Sequence, residues 1–140
     1  MRSSKPILLV EDDSVDVMTV RRAFKDLRVV NELVAMEDGE AALDYLRGHG
    51  GPKPCVILLD LNMPKMSGME FLKIIKTDET LRMIPVVVLT TSNTEEDVAR
   101  SFELGAAGYM VKSIDYIEFT ETIRAIDLYW TLSKLPLNGE

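Results

Sequence analysis

The sequence predicts a doubly wound α/β domain in which a strand and a helix alternate five times around a parallel sheet. Short continuous apolar runs, Ile7-Leu8-Leu9-Val10, Val56-Ile57-Leu58-Leu59 and Val86-Val87-Val88-Leu89, have the pattern of strands buried on both faces. Stretches of helical periodicity lie between them. The connections are mostly short, with no break in composition, no internal repeat and no low-complexity tract, so one domain over residues 1–140 is the economical solution.

Each element has its own signal. Ile7 to Val10 form the first strand, and Val17, Val20, Phe24 and Leu27 lie on one face of a first helix that Asp13 or Ser14 caps. Asn31 to Met36 are a second strand candidate. Leu43 and Leu46 mark a second helix, begun after Asp38-Gly39 and stopped by Gly48, Gly50, Gly51 and Pro52. Val56 to Leu59 follow as the third strand, and Leu72 and Ile75 belong to a third helix after Gly68. The fourth strand, Val86 to Leu89, precedes a helix with Thr94 as N-cap and Asp97 three residues on, a capping-box variant, with Gly105 just past its end. Gly108 to Val111 are the fifth strand candidate. Tyr116, Phe119, Ile123, Ile126 and Trp130 define a fifth helix that Pro136 ends. Two connections are longer than the rest, Gly48 to Pro54 and Thr77 to Pro85. Only a short tail follows, so no effector domain is expected.

Composition narrows the function. Of 140 residues 46% are hydrophobic, and 23 carboxylates against 16 Lys and Arg leave a net charge of −7, which repels nucleic acid and anionic lipid. Neither partner is expected. One cysteine, Cys55, and one histidine, His49, exclude an internal disulfide and a Cys/His zinc site. No apolar run approaches the roughly 18 residues of a membrane span, and Glu11 interrupts the first too early for a signal-peptide core of about 7–15. A reduced, cytoplasmic location is expected. Cys55 reads as a small core hydrophobe, His49 as an exposed loop residue, and Met63, Met66 and Met69 as packing residues.

In open parallel sheets the site forms beyond the carboxyl ends of the strands. Here those ends are Glu11-Asp12-Asp13, Asp60, Thr90 and Lys112. Clustered carboxylates repel one another unless a hard, oxygen-preferring cation such as Mg2+ joins them. With a lysine and a hydroxyl, such a site can neutralise and orient a phosphoryl group, and Asp60 is the natural nucleophile, giving an aspartyl phosphate. Asp13 and Asp16 read instead as a helix N-cap and a first-turn charge.

The ordered set of Ile7 to Asp13, Leu58-Leu59-Asp60-Leu61-Asn62-Met63-Pro64 with Ser67-Gly68, Val88-Leu89-Thr90, Gly105-Ala106 and Gly108-Tyr109-Met110-Val111-Lys112 resembles a response-regulator receiver domain, over nearly the whole chain. The resemblance implies a flavodoxin-like sheet of order 2-1-3-4-5. It implies phosphorylation of Asp60 by a partner sensor histidine kinase, with Asp12 contacting Mg2+ directly, Glu11 contacting it through water, and Asn62 supplying a backbone carbonyl. Thr90 and Lys112 would bind phosphoryl oxygens, and Tyr109 would change rotamer as Thr90 is drawn inward. Within the family the chain is similar to stand-alone regulators of phytochrome kinases, on the Thr77 to Pro85 connection, Lys112-Ser113 and the ending Tyr129 to Pro136.

Receivers usually carry Lys-Pro where this chain has Lys112-Ser113. A cis bond before a non-proline residue costs about 2.5–4 kcal/mol, so a trans bond is expected, with Ser113 helping to cap the fifth helix. Leu128, Tyr129, Trp130 and Leu132 suggest a homodimer or kinase contact through the fourth helix, fifth strand and fifth helix. Three other functions compete. A haloacid-dehalogenase-like phosphohydrolase needs a second aspartate where Asn62 stands. A flavodoxin-type electron carrier needs a phosphate loop that Glu11-Asp12-Asp13 would repel. A pseudo-receiver would lack the acceptor or the lysine, and both are present.

Overall fold

The computed structural model describes residues 4–48 and 53–132. Its elements are β1 (Ile7–Val10), α1 (Ser14–Asp26), β2 (Leu33–Met36), α2 (Gly39–Gly48), β3 (Val56–Leu59), α3 (Gly68–Thr77), β4 (Val86–Thr90), α4 (Glu95–Glu103), β5 (Gly108–Val111) and α5 (Tyr116–Leu132). The five strands are parallel in the order β2-β1-β3-β4-β5. The order in which strands are added reverses between β1 and β3, which opens a crevice at their carboxyl ends.

Alternation along the strands divides the core in two. Leu8, Val10, Ile57, Leu59, Val86 and Val88 face one way, against Leu43 and Leu46 of α2 and Leu72 and Ile75 of α3. Ile7, Leu9, Val56, Leu58, Val87 and Leu89 face the other, against Val20 and Phe24 of α1 and Phe119, Ile123 and Ile126 of α5. A strand covered on both faces must be apolar at every position, hence the unbroken runs of β1, β3 and β4. β2 and β5 are the sheet edges and are only partly covered, which explains their weaker sequence signal.

Helix ends follow local chemistry. The Asp13 carboxylate accepts from the Val15 and Asp16 amides, so Asp13 is the cap and Ser14 the first helical residue. Ser67 and Glu70 form a reciprocal capping box at α3 that the sequence reading did not identify. The variant expected at α4 is only half made: Thr94 accepts from the Asp97 amide, while the Asp97 carboxylate accepts from the Ser92 hydroxyl. At the end of α4, Gly105 has φ +107°, its amide donates to Phe102 and the Ala106 amide donates to Ser101, a Schellman closure. The same closure ends α1, where Arg28 occupies the left-handed position with φ +58°, which favours glycine.

The Lys112–Ser113 bond is trans, as expected, since no cis bond occurs among the described residues. Ser113 helps to cap α5, as expected, although it is not the principal cap. The Asp115 carboxylate accepts from the Ile117 and Glu118 amides, so Asp115 is the principal cap, and Ser113 supports it by accepting from the Asp115 amide and donating to Glu118. Cys55 is buried, and Met63, Met66 and Met69 pack partly buried against the core, as read from the sequence. His49 and Pro136 lie outside the described residues, as do the side chains of Tyr129, Trp130 and Leu132. No helix among the described residues is long and apolar enough to cross a membrane.

Candidate functional site at the carboxyl edge of the sheet

The site is built one residue beyond the apolar strands. Val10 and Leu59 are register partners, so the chains leaving β1 and β3 carry Glu11 and Asp60 side by side, and the Asp60 amide donates to the Val10 carbonyl at 3.1 Å. Gly68 allows the chain after β3 to fold back tightly. A Cβ at that position would lie 2.4 Å from the Asp60 carbonyl oxygen, a collision with backbone that cannot yield. Thr90 ends β4 fully buried, and the Lys112 amide donates to its carbonyl at 2.7 Å, bringing β5 into line.

Glu11 and Asp60 are buried and Asp12 is exposed. One oxygen from each of these three carboxylates lies within 4.8 Å of the others. Three converging oxygen donors at the mouth of a crevice fit a hard divalent cation, whose charge would offset their repulsion. Asn62 is tied to the same centre, its amide 3.4 Å from Asp60 Oδ1.

Lys112 supplies the opposing charge. Its ammonium lies 2.5 Å from Glu11 Oε1, 2.8 Å from Asp16 Oδ2 and 3.7 Å from Asp60 Oδ2, and its side chain is 9% exposed. Burial pulls the Lys112 pKa down, but hydrogen bonds to Asp16 and Glu11 and the charge of Asp60 outweigh it, leaving it above the ordinary lysine value. Burial pushes Glu11 up to about 7, assisted by the charge of Asp60, although Lys112 pulls the other way.

The sequence-predicted residues Glu11, Asp12, Asp60, Thr90 and Lys112 therefore meet at one edge. Tyr109 is not hydrogen-bonded to the three clustered carboxylates. Its hydroxyl donates to the Ser92 carbonyl at 2.8 Å, and burial raises its pKa. Ser92 was not anticipated, yet it links three elements: its hydroxyl donates to Asp97, its carbonyl accepts from Tyr109, and its amide lies 3.5 Å from Thr90 Oγ1. Asp16 requires a correction. It lies in the first turn of α1 as expected, but its carboxylate also pairs with Lys112. No local pattern could have found that pair, because 96 positions separate the two residues.

The chain matches the family described as response regulator receiver domain over residues 7–124. It is 43% identical over 127 residues to the "Probable methanogenesis regulatory protein FilR2" of Methanothrix harundinacea, covering 89% of this chain and 82% of that protein. It is 42% identical over 130 residues to the response regulator Rcp1 of Synechocystis, covering 90% and 88%. A crystal structure of the Mn(2+)-bound form of response regulator Rcp1 superposes with a TM-score of 0.86 at 40% identity, over 95% of this chain and 99% of that one. The crystal structure of the phosphorylated cyanobacterial phytochrome response regulator RcpA superposes with a TM-score of 0.89 at 38% identity, over 96% and 100%. Family, sheet order and acidic crevice agree with one another, and the chain belongs to the response regulator receiver domain family of two-component signalling.

Proposed function

We propose that Asp60 accepts a phosphoryl group from a phosphohistidine of a sensor histidine kinase, in a step requiring Mg2+. The observation that carries this reading is the position of the buried Asp60 carboxylate, between the oxygens of Glu11 and Asp12 and the Lys112 ammonium. An Asp60 oxygen attacks phosphorus in line, the P–N bond breaks, and its electron pair returns to the imidazole, which takes a proton from solvent. Bound Mg2+ supplies charge neutralisation at the phosphoryl oxygens, and Asp12, Asp60, the Asn62 carbonyl and, through water, Glu11 would hold it. Thr90 and Lys112 receive the remaining phosphoryl oxygens. Drawing the Thr90 hydroxyl inward changes the setting of Ser92 and Tyr109, and through them the face of α4 and α5.

The product remains on the protein, so the chain acts as a signalling switch rather than a turnover enzyme. Asn62 stands where a haloacid-dehalogenase-type hydrolase requires its second aspartate. Likeness to RcpA, a cyanobacterial phytochrome response regulator, supports a phytochrome-type kinase partner. Exposed Phe102, Val111 and Leu128, on α4, β5 and α5, support a second copy of the chain as a further partner.

Incubation with acetyl phosphate and Mg2+ followed by intact mass tests the acceptor. The wild type gains one phosphate; Asp60→Asn, or chelation of the metal, prevents the gain. An Asp60→Asn protein phosphorylated at the wild-type rate would refute the assignment.

A further inference from the structure

We infer that Asp16 is a positioning residue that holds the Lys112 ammonium on the α1 side of the crevice, paired with Asp60 but beyond hydrogen-bond reach of it, until a phosphoryl group competes for it. The inference rests on the acceptor reading above and adds to it a residue outside the expected set.

The geometry is asymmetric. Lys112 is within hydrogen-bond distance of Glu11 Oε1 and Asp16 Oδ2, while Asp60 Oδ2 lies at 3.7 Å, too far for a hydrogen bond. An ammonium has three donors on one compact charge, and here two are taken by Glu11 and Asp16 rather than by the acceptor. Glu11 is buried against the metal-ligand set, whereas the Asp16 side chain is 37% exposed. Water can therefore solvate Asp16 when Lys112 leaves it, so release from Asp16 costs less than release from Glu11.

The surroundings point the same way. Asp13 caps α1, so that helix does not need the Asp16 carboxylate to satisfy its first amides. Asp16 and Lys112 line one cleft together with Thr19, Thr91, Ser113 and Ile114, which leaves Asp16 a path to solvent. A phosphoryl group on Asp60 brings nearly two negative charges and three acceptor oxygens close to the ammonium. Lys112 then swings on its flexible stem toward the phosphoryl oxygens, and Asp16 turns to water.

The test uses Mg2+ with beryllofluoride as the phosphoryl probe, read by calorimetry on the full chain. Asp16→Asn keeps shape and removes the competing charge, so beryllofluoride should bind about three- to fivefold more tightly. Asp16→Glu should restore the wild-type affinity, and Asp16→Ser, tolerated in a first helical turn, should behave like Asp16→Asn. The deciding comparison is made in a Lys112→Ala background. An effect acting through Lys112 disappears there, whereas simple repulsion between Asp16 and the anion persists. Unchanged or weaker binding in both Asp16→Asn and Asp16→Ser, or an effect that survives Lys112→Ala, would overturn the inference. Wild-type phosphorylation by acetyl phosphate separates the two claims. If the wild type takes no phosphate, the acceptor reading fails; if it takes one and Asp16→Asn binds the probe like wild type, only the positioning role fails.

Discussion

The interiors of β1, β3 and β4 and the residues immediately beyond them share one degree of burial and opposite energetics. Leu59 and Leu89 are within 1% of complete burial, Asp60 is 5% exposed and Thr90 is fully enclosed. For the leucines, burial is the stabilising contribution, at roughly 25 cal/mol per Å2 of apolar surface. For Glu11, at the same edge, burial instead disfavours charge and pushes its carboxyl up to about 7. Stability resides in the strand interiors, while the edge holds groups whose discomfort a cation or a phosphoryl group can relieve.

Two substitutions at adjacent positions sharpen this contrast most. Asp60→Asn should reduce phosphate incorporation from acetyl phosphate to background, while raising the melting temperature of the metal-free protein by removing one of three crowded carboxylates. Leu59→Ala should do the reverse, costing about 2–5 kcal/mol in chemical denaturation while leaving Asp60 able to accept phosphate in the folded fraction. If Asp60→Asn lowered stability as Leu59→Ala does, the edge would be structural and the contrast would fail.

A pH series probes the edge alone. Because the folded-state pKa of Glu11 is raised from 4.5 to about 7, its contribution to metal-free stability is complete below 4.5 and is lost as pH rises through about 7. Magnesium affinity should have the opposite dependence, falling below about pH 7 as the carboxylate takes up a proton. Denaturation and magnesium titrations at about pH 5.5 and about pH 8 check both signs, with Glu11→Gln removing this part of each difference. The smallest stability effect is expected for Thr90→Val, which keeps the buried shape and removes a hydroxyl that lies 3.5 Å from the Ser92 amide, the outer limit of a hydrogen bond. Its cost should be about 1 kcal/mol or less, yet phosphorylation-dependent partner binding should be lost. Retention of that binding would exclude the Thr90 hydroxyl from the switch.

Much of this was readable in advance. The three central strands are legible because coverage on both faces demands apolar residues at consecutive positions, a pattern no exposed segment reproduces. Their polar exits are legible for the same reason: Glu11, Asp60 and Thr90 interrupt runs that otherwise continue. The caps were partly legible. Asp13 and Thr94 occupy the positions that local chemistry prefers, whereas Arg28 takes a left-handed turn position usually marked by glycine and gave no warning.

The alternation of strands and helices, the depth at which each strand lies and the identity of the residues at the carboxyl edge are all written in the chain, because all three depend on backbone periodicity over a few neighbours. Tertiary structure alone decided which of those residues touch. Lys112 meets Glu11 and Asp16 across separations of 101 and 96 positions, and Tyr109 meets the Ser92 carbonyl instead of the carboxylates. Such pairs depend on strand register and on the reach of long side chains over neighbouring strands. Neither leaves a periodic trace in the chain, because a lysine whose stem crosses a sheet is spelled no differently from one in water.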